Sequence, residues 1–130
     1  MEETSLQRVT FEQAQRLKAA GFNLEVRDKY MKPDGEEQPE LEVDVWAQDW
    51  NKFVYSAYEI PTYSAPTVAL ALKWARDVKA LNGSLRFCRM EKFPWFFEFS
   101  AIRGARATCE EVESLLLDAV LNEIEKEAKK

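Results

Sequence analysis

Histidine is absent from the 130 residues, cysteine occurs twice and glycine four times. Without imidazole, His-based catalysis is excluded and a zinc site is not expected. Cys88 and Cys109 are not in a CxxC arrangement, and a reduced, cytoplasmic setting is the simplest reading. No glycine-rich phosphate loop and no GxSxG elbow occurs. No run is long and apolar enough to span a membrane, so no membrane partner is expected. The opening Met1-Glu2-Glu3-Thr4-Ser5 has neither a basic nor an apolar region and does not read as a secretory signal. No internal repeat emerges.

What is present is a globular composition: 46% hydrophobic, 12% aromatic and 32% charged, in a length that fits a single domain over 1–130. The net charge of −5 is unevenly spread. Seven acids and no base lie between Asp34 and Asp49, whereas Lys73 to Arg106 holds eight bases to three acids. That asymmetry bears on partners rather than on fold.

The most clearly patterned stretch is Ser64 to Val78. Ser64 is a favoured cap, and a proline suits the first turn. Val68, Leu70, Ala71, Leu72, Trp74, Ala75 and Val78 share one wide arc, and Asn82-Gly83 offers a left-handed stop. Residues 1–8 read as a short polar lead. Thr10 and Gln13 have capping-box spacing before a helix that closes at Gly21. Alternation predicts a hairpin over 24–46, turning at Lys32-Pro33-Asp34-Gly35, with Leu41, Val43 and Val45 on its apolar face. Acids there would guard an edge strand.

Residues 33–63 read as an acidic and aromatic irregular insertion. A helical turn over 47–53 and a strand over 53–58 are the alternatives, and Pro61 is expected to block a regular element. Strands are expected over 84–91 and 95–103, with Gly104 at the exit. Thr108 to Glu111 is a second capping box, opening a helix to Lys126. The order α-β-β-α-β-β-α predicts an α+β, two-layer sandwich: an antiparallel sheet of about four strands carrying three helices.

Val9-Thr10-Phe11-Glu12-Gln13, with Leu17-Lys18 and Gly21-Phe22, resembles the opening of a family of small uncharacterised proteins from gut Bacteroidales bacteria and their phages or mobile elements. Ser64-Ala65-Pro66-Thr67, Ala69-Leu70-Ala71, Lys73-Trp74 and Arg76 resemble that family's central helix. Thr108-Cys109-Glu110-Glu111 resembles the start of its closing helix. Residues 33–63 are more acidic and longer than the family pattern. The resemblance implies a bacterial, phage-related, intracellular context, and it carries over no activity and no functional residue.

No catalytic constellation is apparent, so an enzyme is not expected, nor is a cofactor or metal. Glu110, Glu111 and Glu113 read as helix-start acids. The acids of 34–49 lack calcium-loop spacing. Cys109 at a helix start is a nucleophile only with a depressed pKa, and Cys88 reads as core. The function expected is a non-enzymatic protein-binding module, either a homodimer or one with an unidentified protein partner. Its motive is surplus apolar surface at Leu117 and Leu121, on the last helix, and on the aromatic hairpin. One alternative is a binder of single-stranded nucleic acid using the hairpin 84–103, with Trp95 and Phe97 beside Arg86, Arg89, Lys92 and Arg103. Another is an acidic decoy for a host protein through Asp34, Glu36, Glu37 and Glu40.

Overall fold

A computed structural model describes residues 7–32, 38–52, 54–55, 60–81, 83–89, 92–99, 102–106 and 108–128. In chain order the elements are α1 (Phe11–Ala20), β1 (Val26–Met31), β2 (Glu40–Gln48), a 3-10 turn (Trp50–Lys52), β3 (Val54–Tyr55) and β4 (Ile60–Ser64). Then follow α2 (Val68–Lys79), β5 (Ser84–Phe87), β6 (Trp95–Phe99), β7 (Ile102–Arg106) and α3 (Cys109–Ala128). The α+β class and the three helices are as expected. The strands, however, form two antiparallel sheets instead of one, ordered β2-β1-β4-β3 and β5-β6-β7. The chain divides into two compact units, Arg8–Thr67 and one built on Val68–Lys130.

In the first unit, α1 starts with the predicted capping box. Thr10 Oγ1 accepts from the Gln13 N–H at 3.1 Å, and Gln13 Oε1 accepts from the Thr10 N–H at 3.0 Å. It ends at Gly21, whose φ of 95° places the Phe22 N–H on the Leu17 carbonyl at 3.0 Å. The expected hairpin is β1 with β2, interrupted by a bulge between Val26 and Asp28. Among the described residues beyond it, both the 3-10 turn and a short strand appear, and β4 enters the sheet between β1 and β3. Pro61 is accommodated because the β1 ladder stops at Met31↔Thr62, leaving the proline at the strand's start.

The two faces of this sheet are built differently. On one, Phe11 of α1 meets Tyr30 and Tyr63 edge-on at 5.6 and 5.4 Å. On the other, Trp50 is buried and its Nε1 donates to the Val26 carbonyl at 2.7 Å. Thr62 Oγ1 donates to the Trp50 carbonyl, and Asn51 Oδ1 accepts from the Ser64 N–H at 2.9 Å. Ser64 is therefore the fully buried end of β4 and not a helix cap.

The second unit packs α3 against both α2 and the β6–β7 face. α2 begins at Val68, later than its pattern suggested, because β4 takes Ser64 first. It buries Val68, Ala71, Trp74 and Ala75, whereas Val78 is 60% exposed. Its left-handed stop is Ala80, at φ 57°, and not Gly83, while Asn82 lies outside the described residues. Gly83 serves a close approach instead: a Cβ there would lie 2.5 Å from Leu116 Cδ1. The stretch 95–103 is two strands, β6 and β7, with Gly104 inside β7 opposite Phe97. A Cβ on Gly104 would meet the Phe97 ring at 2.6 Å. At the start of α3, Thr108 Oγ1 accepts from the Glu111 N–H at 3.3 Å. Its hydroxyl donates to the Glu111 carboxylate at 2.8 Å, so the second capping box closes through side chains.

Candidate interaction surfaces

β2 is the outermost strand of the four-stranded sheet, as the guarding acids suggested, and at nine residues it is long for an edge. Its apolar face is not buried as the alternation implied: Leu41 is 41% exposed and Val43 62%. The register explains this. Leu41 and Val43 pair with Tyr30 and Asp28, on the face where α1 packs chiefly over β4, two strands in from this edge. The opposite face carries Glu40, Glu42 and Asp44, because β1 places Lys29 there. Lys29 is buried, its Nζ 3.9 Å from the Trp50 ring centroid, 3.4 Å from Asp44 and 3.7 Å from Glu42. Two carboxylates and a ring face thus offset its desolvation. Trp46 is exposed, its N–H held by Asp44 Oδ1 at 3.2 Å. The bulge opens the register between Asp28↔Val43 and Val26↔Gln48, and Trp46 falls in that interval. The exposed triplet was not legible from β2 alone, because its faces are assigned by Lys29, a residue whose type predicts exposure.

A second surface is the outer face of β5-β6-β7, away from the buried Phe97 and Phe99. Register places Arg86, Phe96 and Ala105 in one row, and Glu98 and Arg103 in the next. The Arg103 guanidinium lies 5.8 Å from the Phe96 centroid and 3.3 Å from Glu98. An open groove of about 520 Å³ there is lined by Phe96, Phe93, Arg103 and Cys88. Cys88 is therefore half-buried at a groove and is not core.

Of the residues singled out from sequence, Arg86, Arg89, Lys92 and Arg103 are all exposed. Trp95 is half-buried against Phe87, at 4.9 Å between centroids, and Phe97 is buried beneath the sheet. The aromatic that β6 presents on the outer face is therefore Phe96, of opposite parity. Leu117 and Leu121 are fully buried in the helix–sheet core, so they offer no surplus surface and no motive for self-association. Glu40 is exposed, while Asp34, Glu36 and Glu37 lie outside the described residues.

Burial, followed by Glu113 and Glu110, pushes the Cys109 thiol up, opposite to what a nucleophile at this helix start needs. Burial and then Glu110 also raise Glu113. No group of three or more His, Cys, Asp or Glu among the described residues is placed to hold a metal ion. No helix among them is long and apolar enough to cross a membrane. Comparison with protein-family models, curated proteins and solved structures finds no match.

Proposed function

We propose that this chain is a non-enzymatic protein-binding module that takes up an extended segment by strand addition at β2. One observation supports it: a nine-residue outermost strand, with no further strand beside it among the described residues, exposes Leu41, Val43 and Trp46. The alternation along β2 sets the partner's chemistry. Apolar side chains suit Leu41 and Val43, and lysine or arginine on the alternate positions suits Glu40 and Glu42. A second copy is the poorer occupant. Antiparallel pairing centred on Glu42 would set Glu42 against itself and Glu40 against Asp44, and like charges directly opposite destabilise a sheet.

A labelled peptide alternating lysine and valine is expected to bind the full chain saturably, read by fluorescence anisotropy, and to shield Trp46 from acrylamide quenching. A peptide alternating glutamate and valine should bind at least about tenfold more weakly, as should the basic peptide to Glu40→Lys. Equal binding of the two peptides, or sedimentation showing a dimer that Val43→Glu dissolves, would overturn the proposal.

A second reading, single-stranded nucleic-acid binding, is favoured by Phe96 set between Arg86 and Arg103 on an open sheet face. It requires salt-sensitive binding of an oligonucleotide that Phe96→Ala abolishes, and silence at low salt sinks it.

A further inference from the structure

Away from β2, the second unit contains a half-enclosed cavity of about 310 Å³ between α2, β5 and α3. That is far more than ordered water needs, and it lies at the small end of the ~300–1,000 Å³ that ligand sites span. Four leucines, Leu72, Leu81, Leu85 and Leu116, line it together with two charged groups, Arg76 from α2 and Glu113 from α3. Their charges are opposite, yet they make no ion pair with each other or with any other described residue. Among the described residues, the half-buried Glu113 has no cation within ion-pair distance, and the exposed Arg76 that lines the same cavity has no carboxylate that close, although its field reaches Asp77 beside it on α2.

We propose that this cavity binds a small aliphatic amino acid, its ammonium held by Glu113, its carboxylate by Arg76 and its side chain among the four leucines. A zwitterion carries both counter-charges on one carbon. It therefore answers two groups that make no ion pair with one another, while its branched chain replaces water against apolar walls. Gly83 and Leu116 pack closely in the cavity lining, since any Cβ on Gly83 would collide with that side chain. Burial first, and Glu110 second, raise the Glu113 pKa, and no cation counts among the causes.

Calorimetric titration of the full chain with L-leucine should give a saturable signal. 3-Methylbutylamine and 4-methylpentanoate, which each lack one charged group, should bind at least about tenfold more weakly, each having lost a charge-assisted hydrogen bond. Glu113→Gln and Arg76→Gln should each weaken leucine by a similar factor. Arg76 is exposed on its helix, so its variant tests the site without threatening the core. The proposal is overturned if roughly 10 mM leucine, tenfold above a millimolar Kd, gives no saturable signal. It is equally overturned if either one-charge analogue binds as well as leucine, or if Arg76→Gln, folded by circular dichroism, binds unchanged.

Discussion

Beneath the four-stranded sheet, Lys29 is withdrawn from water with Glu42, Asp44 and the Trp50 ring all within 4 Å. On α3 of the second unit, Glu113 is also partly withdrawn, and no described residue pairs with it. The first unit surrounds its charge with compensating groups, and hydrogen bonds from Trp50 to the Val26 carbonyl and from Thr62 to the Trp50 carbonyl hold the ring that it faces. Among the described residues the second buries apolar side chains only, including Phe97 and Phe99 of β6 and Val112, Leu116 and Val120 of the α3 that packs on it. A buried charge that is fully answered is a piece of architecture. One left unanswered beside a cavity is available for something else.

That contrast can be broken most severely in the apolar unit. Leu117 is fully buried in α3, and Leu117→Ala should cost about 3–5 kcal/mol, the lost transfer energy plus a cavity that a helix held on two sides cannot collapse. Denaturant titration followed by circular dichroism measures it. A loss below about 1 kcal/mol would mean that the helix–sheet core is not packed as described. In the polar unit, Lys29→Met keeps the stem and removes the charge, which leaves Asp44 and Glu42 facing a ring without a cation. Both carboxylates are partly exposed and can rehydrate, so the expected loss is smaller, about 1–3 kcal/mol. A variant as stable as the parent would make Lys29 a tolerated burial and not a structural keystone.

Much of the fold is legible wherever one residue type determines its own environment. Thr10, Gln13 and Gly21 are enough to fix both ends of α1, since the caps are local hydrogen bonds. Alternation separates Phe97 and Phe99 from Phe96 but does not say which face is buried, so Phe97 is expected on the open surface and lies in the core instead. Alternation does not reveal that 95–103 folds back on itself, because Gly104 is required by a ring on the neighbouring strand. Ser64 misleads for a similar reason: a good cap residue is also a good buried strand end when Asn51 is there to receive its N–H. The β2 edge and the α2–α3 cavity are equally hidden, because the first depends on where Lys29 points and the second on Arg76 and Glu113, 37 positions apart in sequence, lining one space. Both are products of tertiary placement and leave no periodic trace.

The gentlest test of the contrast is Glu113→Gln in the absence of ligand. Burial first, and Glu110 on the same helix second, raise the Glu113 pKa in the folded chain above its unfolded value. The folded state therefore holds that proton more tightly. Ionising Glu113 carries a stability penalty that is fully present above the folded pKa and fades as pH falls through it to below the unfolded value. The glutamine variant has no such penalty. It should melt slightly higher than the parent at pH 7, with the difference shrinking to nothing in acid. Arg76 lines the same cavity and is the one described group there that would favour the ionised carboxylate. If it already answers Glu113 in solution, the variant will melt lower at pH 7 and the two units will treat their buried charges alike. A gain at neutral pH that disappears in acid would instead show that Glu113 is held at a cost to folding.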